Sequence, residues 1–123
     1  MEDLKELLDL IEELKELSKE GWVIVVEGAK DARSLRDLGI EGEIVIFSGF
    51  LNTAEKIKDR KVILLTDYDH EGFDIDKGLL KALSSYGNFP NVELKRRLFC
   101  RIKKEVTKVE ELSNFIWRER NEL

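Results

Sequence analysis

The sequence predicts an α/β fold, an open and mainly parallel sheet flanked by helices. Three observations carry that prediction. Trp22–Val26, Glu43–Phe47 and Lys61–Thr66 are short apolar runs rich in β-branched residues. Such runs suit strands covered on both faces, as in parallel sheets. Between and after them lie stretches with helical spacing, and an alternation of this kind leads to crossover connections within one sheet. Finally, Gly21, Gly39 and Gly87 stand where helical stretches should stop.

Taken in order, Leu4, Leu7, Leu8, Ile11, Leu14 and Leu17 recur at helical spacing up to Gly21. Asp3 with Glu6 reads as a cap and its reciprocal partner. This first helix has one apolar face and one acidic face. Its plain reading is a helix packed on the domain, and a dimerising seam is the alternative. Strand one follows at Trp22–Val26, a helix at about 30–38, strand two at Glu43–Phe47, a helix at about 53–60, strand three at Lys61–Thr66, and a helix at about 73–86. After Pro90, Val92, Leu94, Leu98, Cys100, Ile102 and Val106 alternate as in a strand, while Leu94, Leu98 and Ile102 also lie four apart. A helix is favoured there, because basic residues then gather away from Leu94 and Leu98. The sheet has three strands on that reading and four on the other. Thr107 with Glu110 reads as a capping box opening a last helix through Phe115, Ile116 and Arg120.

The 123 residues suit one domain, read as an acidic helix at 1–20, a core at 22–86 and a basic segment with a last helix at 91–123. No apolar run approaches the roughly 20 residues of a membrane span, and the acidic start is unlike a signal peptide, so a cytoplasmic protein without a membrane partner is expected. One cysteine and one histidine exclude an internal disulfide and a zinc site built from His and Cys. Any metal must be held by oxygen. Glutamine is absent and Lys, Glu and Arg abound, a composition seen in heat-adapted proteins. The net charge is −5, and residues 1–20, with eight acids against three lysines, account for all of it. By contrast, Lys95–Lys104 holds six basic residues and no acid.

Ligands of open α/β sheets gather at the carboxyl ends of the strands. The first strand runs into Glu27-Gly28 and the third into Thr66-Asp67-Tyr68-Asp69. Acids at two neighbouring strand ends would lie close enough to share a cation. Three carboxylates without His or Cys make a hard oxygen site, suited to Mg²⁺ with positions left for phosphate oxygens. Gly28 and Gly72 follow these acids where strand turns into helix, and amides near Gly72 would receive a phosphate.

Val25-Val26-Glu27-Gly28-Ala29-Lys30-Asp31 and Leu65-Thr66-Asp67-Tyr68-Asp69-His70-Glu71-Gly72 resemble the two signature motifs of the Toprim domain. That domain is shared by bacterial-type primases, topoisomerases, OLD-family nucleases and the small ribonuclease that matures 5S ribosomal RNA. The resemblance covers Trp22 to about Tyr86 and is nearest to small stand-alone, primase-like Toprim proteins. It implies a Toprim-type sheet with extra terminal helices, Glu27 as the acid–base residue, and Asp67 and Asp69 as Mg²⁺ ligands, with Mn²⁺ as substitute ion. Asp31 matches the acid that follows the Glu-Gly motif, and Ser48-Gly49 matches a small-residue loop near the same site. Departures narrow the reading. Tyr68 and Tyr86, the two tyrosines, lack the separate domain of a topoisomerase nucleophile, and the zinc-binding and polymerase segments of a primase are missing.

Each residue also has a plainer reading. Glu27, Asp67 and Asp69 would otherwise cap turns and helix starts. Asp31 would favour a helix dipole. His70 and Lys30 would contact phosphate or be ordinary surface groups. Arg96, Arg97 and Arg101 of the basic segment would neutralise backbone phosphates, or pair with the acidic first helix. Phe99 and Cys100 read as core, and Trp22 and Trp117 as packing residues. The expectation is a Mg²⁺-dependent, nuclease-like or nucleotidyl-transfer protein acting on RNA or DNA. Glu27 would also share in the metal site, alongside Asp67 and Asp69. The alternatives are a non-catalytic, Mg²⁺-assisted nucleic-acid-binding module within a larger complex, and a small-nucleotide phosphohydrolase. A protein partner or a homodimer through the first helix is a further expectation.

Overall fold

Every second residue of the central strand faces the same way, and that alternation builds two cores. A computed structural model describes residues 2–121. Its elements are α1 (Glu2–Lys19), β1 (Val23–Val26), α2 (Ala29–Asp37), β2 (Ile44–Ile46), α3 (Phe50–Ile57), β3 (Val62–Leu64), α4 (His70–Ser84), α5 (Glu93–Phe99) and α6 (Leu112–Asn121), with a 3₁₀ turn at Val109–Glu111 before α6. The strands lie in the order β2-β1-β3 and all pair in parallel, with Ile24 opposite Ile44 and Ile63. This is the α/β architecture the sequence predicts.

Ile24, Val26, Ile63 and Leu65 point into a core shared with α1, α2, α5, α6 and the 3₁₀ turn. Val23, Val25, Val62 and Leu64 point into a second core, with Ala54 and Ile57 of α3 and Ile75, Leu79 and Leu83 of α4. Strands buried on both faces read as unbroken apolar runs, which is why alternation is invisible in Val-Ile-Val-Val. No helix among the described residues is long and apolar enough to cross a membrane.

Several expectations need correcting. Asp3 lies inside α1 and not at its cap. Leu7, Leu10, Ile11 and Leu14 of α1 are buried in the chain's own core, so its apolar stripe is not left over for a dimer seam. The segment after Pro90 is helical from Glu93 to Phe99, as favoured, and then turns, and of the alternative fourth strand there remains one parallel bridge between Asn91 and Ile63. Asn91 Oδ1 accepts the Leu94 N–H at 3.0 Å, which starts the helix there. The capping box of Thr107 and Glu110 does not form, because the 3₁₀ turn follows Lys108 without a side-chain cap. Trp117 is largely exposed, not packed.

Candidate active site

Parallel pairing sends all three strand ends to one rim. Phe47 N–H donates to Val26 O and Leu65 N–H to Val25 O, both at 2.8 Å, so the chains leaving β2 and β3 flank the chain leaving β1. Glu27 therefore stands between the Ser48-Gly49 loop and the Thr66–Asp69 loop. Its Oε2 accepts the Asp67 N–H at 2.7 Å. Burial pushes the Glu27 carboxyl above its usual range, opposed by that hydrogen bond and reinforced by the charges of Asp67, Asp69 and Glu71.

Asp67 is nearly buried, and its Oδ1 accepts the Val109 N–H at 2.9 Å. Burial raises its carboxyl too, again opposed by the backbone donor. Asp69 caps α4, with Oδ1 accepting the Gly72 N–H at 2.8 Å. That bond lowers its carboxyl, and the Lys108 ammonium lowers it further. Lys108 Nζ donates to Asp69 Oδ2 at 3.0 Å and lies 3.7 Å from Asp67 Oδ2. The side-chain hydrogen bond to Asp69 and the two negative charges raise the lysine's own pKa. A positive charge thus already sits between the two aspartates.

The loop is held from behind as well as in front. Tyr68 N–H donates to Thr107 O at 2.7 Å, and its ring stacks on the buried Phe99 at 5.6 Å. A Cβ at Gly72 would stand 1.9 Å from Asp67 O, so only glycine lets α4 approach the loop this closely. Beneath lies a buried polar cluster. Lys95 Nζ donates to Asp76 Oδ2 and, at 2.9 Å, to Thr66 Oγ1, which donates to Asp76 Oδ1 at 2.7 Å. All three residues are buried. Every group in the cluster has a partner, as a low-dielectric interior demands.

The structure brings Glu27, Asp67, Asp69 and Gly72 together at the rim. Ser48 and Gly49 lie at the neighbouring strand end, where Ser48 N–H donates to Thr53 Oγ1 at 2.9 Å. Lys30 is exposed near the start of α2, and His70 is almost fully exposed, 3.6 Å from Asp74. Asp31 is buried and its Oδ2 accepts the Gly28 N–H at 2.9 Å, so it closes the first turn of α2. Burial raises its carboxyl.

The basic segment is divided between the interior and ion pairs. Lys95 is inside the protein, Arg96 pairs with Glu93, Arg97 lies 3.3 Å from Glu13, and Arg101 pairs with Asp3 and Glu6. Those last two arginines bind the acidic face of α1, the plainer of their two readings. Such half-exposed pairs contribute about 0–1 kcal/mol each, so they are weak attachments.

Lys108, Val109, Lys95 and Asp76 escape a reading by motif. Two of them left a trace. Asp76 falls on the apolar stripe of α4 with Gly72, Ile75, Leu79 and Leu83, and Lys95 on that of α5 with Leu94, Leu98 and Phe99. An acid and a lysine on two apolar stripes must find each other.

Among the described residues, no three His, Cys, Asp or Glu side chains form a ready metal cage. The donor set at the rim is nonetheless all oxygen, the donor type hard divalent ions take, and its two aspartates already share one cation, the Lys108 ammonium.

Residues 22–103 match the family model described as Toprim domain. A UPF0292 protein of Archaeoglobus fulgidus is 56% identical over 115 residues, covering 94% of this chain and 93% of the relative. A UPF0292 protein of Methanocaldococcus jannaschii is 32% identical over 120 residues, with 94% and 93% covered. A solved protein from Aquifex aeolicus is similar in structure, with a TM-score of 0.70 at 31% identity, covering 84% of this chain and 94% of that one.

Proposed function

The chain belongs to the Toprim-domain family, and from that membership and the geometry of its rim we propose that it cleaves or transfers phosphodiesters of RNA or DNA with a divalent metal. Toprim domains generally bind divalent metals such as Mg²⁺, and at family level they serve metal-dependent nucleic-acid processing. The observation that carries the reading is the pairing of Glu27 Oε2 with the Asp67 N–H beside two aspartates that share one cation.

Asp67 and Asp69, with Glu27 beside them, would hold Mg²⁺, which when bound supplies positive charge to a phosphate oxygen. Glu27 accepts and returns a proton at the rim. Its raised carboxyl keeps the proton-holding form closer to neutral pH than a solvated glutamate would. The Asp67 N–H holds Oε2 in place and so orients the carboxyl at the rim. Lys30, His70, Ser48 and the backbone at Gly49 would meet the substrate's anionic backbone, whereas the Gly72 N–H is already taken by Asp69 Oδ1. Arg96 belongs to this set only if it leaves Glu93, and Arg97 and Arg101 only if they leave α1.

The test is incubation of the purified protein with structured RNA and single-stranded DNA, with Mg²⁺ or Mn²⁺, beside Glu27→Gln and Asp67→Asn. Cleavage by the parent, lost on chelation and reduced about 100-fold or more in Glu27→Gln, is the expected result. A parent that binds nucleic acid in a metal-dependent way without turnover is instead a binding module. Variants that behave like the parent would place the site elsewhere.

A further inference from the structure

Two ammonium groups approach the Asp67–Asp69 loop, and they differ in freedom. Lys95 is locked inside the protein by Asp76 and Thr66. Lys108 has a side chain 46% exposed, while the backbone on either side of it is clamped to the loop. Thr107 O accepts the Tyr68 N–H, and Val109 N–H donates to Asp67 Oδ1. The clamp sets the base of the Lys108 side chain, and only the rotatable stem decides where its charge lies.

We propose that Lys108 is a built-in counter-ion of the Asp67–Asp69 pair, which a divalent cation must displace to enter. The inference rests on the reading of these aspartates as metal ligands. Its physical basis is competition for one position. Asp69 Oδ1 already accepts the Gly72 N–H of the α4 cap and Asp67 Oδ1 the Val109 N–H, so the two Oδ2 atoms, which no backbone donor engages, are the less committed oxygens of this pair. Those are the atoms Lys108 faces, at 3.0 and 3.7 Å. A lysine and a divalent ion cannot both occupy that gap. Without metal, the ammonium relieves repulsion between two carboxylates fixed by the fold. With metal, it swings into solvent on a long stem, and the clamped backbone does not need to move. Lys108 also lies beyond residues 22–103, the span that matches the family.

Two measurements test this. In calorimetric titrations, Lys108→Gln should bind Mn²⁺ about tenfold more tightly than the parent, the scale of one charge-assisted hydrogen bond no longer lost on entry. Lys108→Arg, which keeps the charge, should bind no more tightly than the parent. On the unmodified protein, amine-labelling followed by mass spectrometry should show Lys108 labelled several-fold faster at saturating Mn²⁺, because the ammonium leaves its carboxylate partners. Mn²⁺ that binds parent and Lys108→Gln equally, or a Lys108 labelling rate that does not rise on binding, overturns the proposal alone. No Mn²⁺ binding by either protein overturns the metal reading as well and leaves Lys108 a permanent ion-pair partner.

Discussion

Asp69 uses its two oxygens for different purposes, and the difference can be read by substitution. Oδ1 caps α4 through Gly72, and Oδ2 faces Lys108. Asparagine keeps an oxygen for the cap but has no charge for a cation, whereas alanine keeps neither. Asp69→Ala should therefore lose about 1 kcal/mol of stability, the usual worth of a cap, while Asp69→Asn stays within a few tenths of the parent. Both should lose metal affinity. Urea titration reads the first difference and calorimetry the second. Equal destabilisation of the two variants would show that the cap is not what Asp69 supplies to the fold. At this scale the motif residues were legible, because an acid after an apolar run is visible without a structure. Lys108 was not, since 39 residues separate it from Asp69 and nothing local marks a lysine that will return to the rim.

Between elements, the Lys95–Asp76–Thr66 cluster ties α5 and α4 to the end of β3, behind the loop that carries both aspartates. Removing one charge of a buried pair strands the other, at a cost of about 3–5 kcal/mol. Lys95→Met and Asp76→Leu should each fall in that range. The double variant should recover most of the loss, because two apolar side chains of similar volume leave no unpaired charge. A double-mutant cycle by urea denaturation gives the coupling, and additive losses would show that the two charges do not depend on each other. Helix α5 also shows why the segment after Pro90 was ambiguous. Its apolar residues satisfy both periods, and the choice is made by tertiary contacts: Leu94, Leu98 and Phe99 enter the core on the α1 side of the sheet.

At the scale of the whole molecule, α1 is part of the fold and not an appendage. Leu14 is fully buried in the core that also holds Ile24, Val26 and Phe115. Leu14→Ala should cost about 2–5 kcal/mol and shift the whole unfolding transition, observed by circular dichroism and tryptophan fluorescence together. Separate transitions by the two probes would mean that α1 unfolds on its own. The charge asymmetry of the sequence also resolves at this scale. Acidic α1 faces Arg97 and Arg101, so opposite charges that look like two features in the sequence form one surface. By itself the sequence determined the order of strands and helices, the parallel sheet and the acids at its rim. Each of these follows from local periodicity and from the rule that strand ends of a parallel sheet open on one side. Only the tertiary structure decided which cations meet those acids. A lysine's partner is chosen by the path of the chain through space, and that path buries Lys95, turns two arginines to α1, and sets Lys108 between Asp67 and Asp69.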